Sequence, residues 1–206
     1  MTDDHDDNGS HVKLSPARLE AFSDSVMAVI ITITILSFKI PSAPVLASLQ
    51  SIFPLFIVYL ISFQNVGAYW NNHHHLMLTT DHVSASIMWA NLNLLFWLSF
   101  IPITTEWLGG NYGEHLPTAL YAFILLMSAI SYTLLQWRVL KHSENKESLI
   151  REFREKPKGV VTLVLYIIAV GMAFYIPFVS DILILFVSVL WFIPDTRVEK
   201  HVIDKR

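Results

Sequence analysis

The sequence predicts an all-α integral membrane protein with six transmembrane helices, and three observations carry that prediction. Of its 206 residues, 53% are hydrophobic and only 15% are charged, where a soluble domain carries about 25% charged residues. The deficit is concentrated: segments 40–80, 82–105, 115–137 and 159–180 hold no Asp, Glu, Lys or Arg. Uncharged apolar runs of about 18 or more residues are candidate membrane helices. The cations are also one-sided. With six spans and the N-terminus inside, every one of the 14 Lys and Arg except Lys39 falls on the inner side, the excess that cytoplasmic flanks of membrane helices carry.

The spans follow in order. The first is placed at about 16–40, between Pro16, suited to a first helical turn, and Pro41, which stops the helix. The second is placed at about 45–72, with Pro54 marking either a late start or a kink. The third covers about 83–107 with Pro102 near its end, the fourth about 116–140 with Pro117 in its opening turn, and the fifth about 158–177. The sixth, about 180–198, is the shortest. Its uncharged core, Ile182–Pro194, reaches only about 20 Å at about 1.5 Å per residue. It needs flanking residues, tilt or a thinned bilayer to cross, and a five-helix count with a half-inserted last segment is the alternative. Trp70 and Trp137 fall at the inner interface and Trp107 and Tyr112 at the outer one, as in an aromatic belt. Residues 1–15 read as a disordered acidic tail, without the basic-then-apolar order of a signal peptide. Residues 16–198 read as the transmembrane domain and 199–206 as a cytoplasmic tail.

Several chemistries are disfavoured. The chain has no cysteine, hence no disulfide framework and no thiolate metal site. The basic loop 138–158 interleaves its cations with Glu144, Glu147, Glu152 and Glu155, which reads as a solvated helical loop and not a nucleic-acid patch. His73, His74 and His75 are consecutive, so on a helix they diverge by about 100° each and cannot converge on one ion. None of the nine histidines is placed mid-membrane, which argues against a haem held across a bundle. No nucleophile–base pair or phosphate-binding loop stands out. No catalytic residue, metal or cofactor is expected.

The first span is the most informative. Arg18, Glu20, Ser23 and Asp24 form a polar cluster at one end of an otherwise apolar helix, and ionisable groups kept in a membrane are usually functional. Phe22, Val26, Val29, Ile33, Leu36 and Ile40 recur at alternating spacings of four and three, an unbroken seam of large apolar residues on one face. Lipid satisfies apolar side chains on any face, so a lone membrane helix does not require a seam. Either the seam packs against helices of its own subunit, or copies of the helix surround an axis and the seam lines a narrow apolar conduit. Arg18 and Asp24 point about 120° apart and cannot pair along the helix. Asp24 also points about 140° away from the Val29 seam, so its partners lie on other helices. Candidates are Trp70, Asn71, His73 and His74 at the end of the second span and Asp81 and His82 beyond it. Such a network either fixes a pore helix or serves folding alone. Asn91, Asn93 and Glu106 belong to the third span, Glu106 at its outer end.

Arg18, Phe22, Ser23 and Asp24 together spell Arg-x-x-x-Phe-Ser-Asp at the start of a first membrane helix. This resembles the signature of the transmembrane protein 175 family, the endosomal and lysosomal potassium channels and their shorter prokaryotic relatives. Trp70-x-x-His73 and Ser99-Phe100-Ile101-Pro102 are similar to further segments of that family. The resemblance implies that helix 1 lines the pore and that bulky aliphatic side chains constrict it. The family's constriction positions, counted from the motif arginine, correspond to Val29, Ile33 and Leu36, all on the seam. Val29 is smaller than the isoleucine or leucine usual there. The threonine linked to potassium preference corresponds to Thr32, about 60° from Val29 on the helical wheel. Arg18, Phe22, Ser23, Asp24, Trp70, His73 and His74 take the place of the motif and its supporting network. Animal members resemble two six-helix units fused, so a single unit implies a homotetramer. The implied permeant ion is K+, with Na+ and larger monovalent cations less favoured, in a cell membrane with both termini cytoplasmic. No Thr-Val-Gly-Tyr-Gly segment occurs, so carbonyl-cage selectivity is not expected, and an apolar constriction gates by dewetting with modest selectivity. A secondary transporter is the rival. It calls for inverted repeats and broken helices at the midplane, and Pro54 and Gly67 in the second span keep that reading open.

Overall fold

The computed structural model describes residues 15–36, 49–80, 82–142 and 158–192, together with Phe38 and Val45. Every regular element among them is helical: α1 (Pro16–Leu36), α2 (Phe53–Leu78), α3 (Ala85–Leu98), α4 (Ile101–Gly110), α5 (His115–His142), α6 (Lys158–Ala173) and α7 (Pro177–Phe192). Taken with α3 and α4 as two halves of one rod, these helices make six rods, the number expected. Four of the rods (α1, α2, α3–α4 and α5) are long and apolar enough to cross a membrane, while α6 and α7 are apolar but shorter. The acidic tail up to residue 14, Lys39, Ile40, Pro41, Asp81, loop residues 143–157 and the C-terminal residues 193–206 lie outside the described residues.

Prolines set most of the boundaries, because proline fits a first helical turn and breaks a later one. Pro16 opens α1 and Pro177 opens α7. Pro54 sits in the first two positions of α2. It therefore marks the late start, and the second span moves from the expected 45–72 to 53–78. That shift draws the three consecutive histidines into the helix. The last helix begins at Pro177, three residues before the expected start at about 180. Pro102 has the largest effect. It offers no N–H to the Leu98 carbonyl and its ring crowds that group, so α3 ends in a turn at Ser99–Phe100 and α4 restarts at Ile101. The third span, expected over about 83–107 with Pro102 near its end, is a broken rod that runs on to Gly110.

The rods pack around α2 and α5. α5 lies against α3, α4 and α6, α2 lies against α1, α4 and α7, and α6 pairs with α7. Lipid removes the hydrophobic drive for helix association, leaving close packing and interhelical hydrogen bonds. Both are visible. Small residues are buried where helices meet, including Ala119, Ala122 and Ala129 on α5 and Ala169 and Ala173 on α6. Gly109 is the tightest point: a Cβ there would lie 2.6 Å from Leu55 Cα, so α4 crosses α2 at a distance that only glycine permits. The hydrogen bonds radiate from α2. The Ser62 hydroxyl bonds those of Thr105 on α4 (2.6 Å) and Tyr121 on α5 (2.8 Å). Asn65 Nδ2 donates to Ser188 Oγ on α7 at 2.8 Å, and its Oδ1 accepts from the Tyr166 hydroxyl of α6 at 3.1 Å.

Candidate functional site

On α1 the side turned into the bundle carries Leu19, Ser23, Met27, Ile30 and Thr34, all buried. The seam lies about 100° round the helix from that face, and its own subunit does not cover it. Phe22, Val29 and Ile33 are about half exposed and Leu36 is 79% exposed. Val26 is the one described seam residue packed against the core. Beside the seam runs a second uncovered line, Ala21, Ser25, Ala28 and Thr32, spaced by four, three and four and made only of small residues. The Ser25 hydroxyl donates to the Ala21 carbonyl at 2.8 Å. The Thr32 hydroxyl donates to its own helix, to the carbonyls of Ala28 (3.1 Å) and Val29 (3.0 Å). With its proton committed to the backbone, the exposed Thr32 oxygen faces outward as an acceptor.

At the N-terminal end of α1 the helices are tied by a buried hydrogen-bond chain. Ser23 Oγ donates to the Leu19 carbonyl at 2.9 Å and accepts from Asn91 Nδ2, also at 2.9 Å. Asn91 Oδ1 in turn meets His73 Nε2 at 2.8 Å, so Nε2 carries a proton and donates it. Ser23, Asn91 and His73 are each fully buried, so α1, α2 and α3 are held by one polar thread. Next to it Glu20 Oε1 lies 2.5 Å from His74 Nδ1, an ion pair when His74 is protonated. Asp24 Oδ1 and His73 Nδ1 are buried with no hydrogen-bond partner among the described residues.

Two of the expected motif residues, Ser23 and His73, are thus brought together, and His74 joins through Glu20. Arg18, Phe22 and Trp70 stand exposed, and no side-chain partner for Arg18 is found among the described residues. Asn91 is the member whose role sequence reading missed: it was placed in the third span with no partner assigned. An asparagine within an uncharged span was the available signal, because amides inside membranes find partners across helices. The same signal marks Asn65, which was passed over altogether. Replacing Asn91 with leucine is expected to cost about 2 kcal/mol, since Ser23 and His73 both lose a partner and bilayer hydrogen bonds are worth about 0.6–1.7 kcal/mol each. The check is the temperature at which detergent-solubilised protein loses its size-exclusion peak, compared with Asn91→Gln.

At the opposite end a link that the sequence did not suggest joins the α4–α5 turn to α7. Tyr112 lies beside Asp181, and burial first, then the charge of Asp181, push the Tyr112 phenol above its ordinary range. Glu106 is exposed. Among the described residues no group of three His, Asp or Glu side chains could hold a metal ion.

An apolar helical bundle of six rods, threaded by buried polar bonds and leaving a continuous apolar helix face uncovered, defines an integral membrane protein. The profile of the family described as endosomal/lysosomal potassium channel TMEM175 matches residues 18–102. A potassium channel of Chryseobacterium sp. (strain P1-3) is 45% identical over 188 residues, covering 91% of this chain and 97% of that one. A potassium channel of Chamaesiphon minutus is 33% identical over 148 residues, covering 66% and 69%. The chain belongs to the TMEM175 family. It shares its fold with the crystal structure of a lysosomal potassium-selective channel TMEM175 homolog from Chamaesiphon minutus, with a TM-score of 0.73 at 24% identity over 85% of this chain and 95% of that one.

Proposed function

We propose that this chain is a potassium-preferring cation channel, a homotetramer in the cell membrane in which four copies of α1 surround the conduction path. The observation that carries this reading is the pair of uncovered lines on α1. The small line, Ala21, Ser25, Ala28 and Thr32, lets neighbouring copies of the helix approach closely. The seam beside it then turns Val29, Ile33 and Leu36 toward the axis. Rings of such side chains hold a water-poor constriction whose barrier is the cost of dehydrating the ion. Thr32 lies at the edge of both lines with its oxygen free to accept, so it lowers that cost for an ion shedding water. K+ holds its water less tightly than Na+ and benefits more. The thread through Ser23, Asn91 and His73 anchors the inner end of α1 so that the rings stay in register. The cation asymmetry supports cytoplasmic termini, and no step in this function calls for a catalytic group or cofactor.

Recording in planar bilayers with K+ on one side and Na+ on the other tests the reading. Thr32→Ala is expected to leave a conducting channel whose preference for K+ over Na+ falls roughly threefold, about 0.7 kcal/mol for one lost acceptor. A gradient-coupled transporter is the second reading, favoured by the broken third span. Saturable flux driven by a second gradient, without unitary current steps, would decide for it.

A further inference from the structure

α5 carries an uncovered stripe of its own. Leu120, Phe123, Ile130 and Leu134 are each more than one-third exposed, at helical spacings of three, seven and four that keep them on one side. The stripe covers most of the hydrocarbon depth: from Leu120 to Trp137 it runs about 26 Å, against about 30 Å for a bilayer core. It ends in a cluster unlike the rest of the surface. Trp137 is half exposed, the Arg138 guanidinium carbon lies 4.8 Å from the centroid of its ring, and Lys141 Nζ lies 5.5 Å from it. Both cations are within reach of the indole's negative face. Neither has an acidic partner among the described residues.

We propose that this end of α5 is a binding site for an anionic phospholipid, its phosphate held between Arg138 and Lys141 and one acyl chain lying along the stripe. Each element has the matching chemistry. Indole rings settle at head-group depth. Two cations there attract a lipid of net negative charge, each contributing about a factor of five at the membrane surface. A zwitterionic lipid brings its own quaternary ammonium to the same cluster and loses most of that gain. The site does not depend on the channel reading, because it needs only that α5 cross the bilayer.

The test uses the full chain in vesicles of phosphatidylcholine. Brominated phosphatidylglycerol, or in parallel brominated phosphatidylcholine, is added at equal mole fraction. Bromine quenches nearby indoles, and the Trp137 component is the difference between the parent protein and Trp137→Phe. The expected result is that the brominated anionic lipid associates with Trp137 about fivefold or more over the zwitterionic one. The double variant Arg138→Gln/Lys141→Gln is expected to bring the ratio close to one while Trp137 stays quenchable. Equal quenching by both lipids in the parent protein would overturn the proposal, as would a preference that survives the double variant. Absence of quenching by either lipid would also overturn it, and would mean that protein, such as a second copy of the chain, covers the stripe.

Discussion

Ile33→Asn is expected to raise the unitary potassium conductance about tenfold. Isoleucine is large and apolar, and in the proposed tetramer four copies of it would leave a passage that water leaves readily. Asparagine removes the apolar wall and supplies an amide that can replace part of the ion's hydration. A barrier lowered by about 1.4 kcal/mol gives a factor of ten, less than one well-placed hydrogen bond to a charged group is worth. The gain should be graded along the seam. Val29→Asn removes the least bulk and should change conductance least, whereas Ile33 and Leu36 should respond more strongly. Single-channel currents in symmetrical potassium measure this. Unchanged currents at all three positions would mean that the constriction lies elsewhere.

Gly109→Ala should be the most damaging single methyl group in the protein. The new Cβ would stand 2.6 Å from the backbone Cα of Leu55, and backbone cannot swing aside as the end of a side chain can. The α2–α4 crossing must open, which also pulls Ser62 away from Thr105 and Tyr121. Overpacking of this kind costs about 1–3 kcal/mol in an ordinary core, and the upper end is expected where backbone meets backbone. Gly110, the next residue, has nothing within 4 Å of its would-be Cβ, so Gly110→Ala should lie within about 0.5 kcal/mol of the parent. The pair is compared by yield and by thermal loss of the size-exclusion peak. Equal stability of the two variants would contradict the packing described.

The pattern of the spans was legible because hydropathy and the placement of lysine and arginine report directly on the bilayer. Boundaries were less so. Pro54, Pro102 and Pro177 were all visible, but whether a proline starts, kinks or ends a helix depends on which carbonyls its neighbours can still satisfy. That is a tertiary matter for Pro102, where the rod resumes at once because α4 has α2 and α5 to pack on. The seam of α1 was legible from spacing alone, while its exposure was not, since periodicity says which residues share a face but not what covers it. The polar thread was half legible. Ser23 and His73 belong to recognisable patterns, yet the residue that joins them, Asn91, carries no local signal beyond being an amide in an apolar helix. The last helix is expected from about residue 180, and Pro177 starts it three residues earlier.

The chain's lack of cysteine gives direct access to the central claim, that the uncovered seam of α1 faces the ion path. Single cysteines are introduced from Val26 to Leu36, and potassium current is followed while a charged methanethiosulfonate reagent is added. The account predicts block at Val29, Ile33 and Leu36, with Met27, Ile30 and Thr34 unresponsive because they are buried in the bundle. Modified seam cysteines that leave the current unaltered would contradict it.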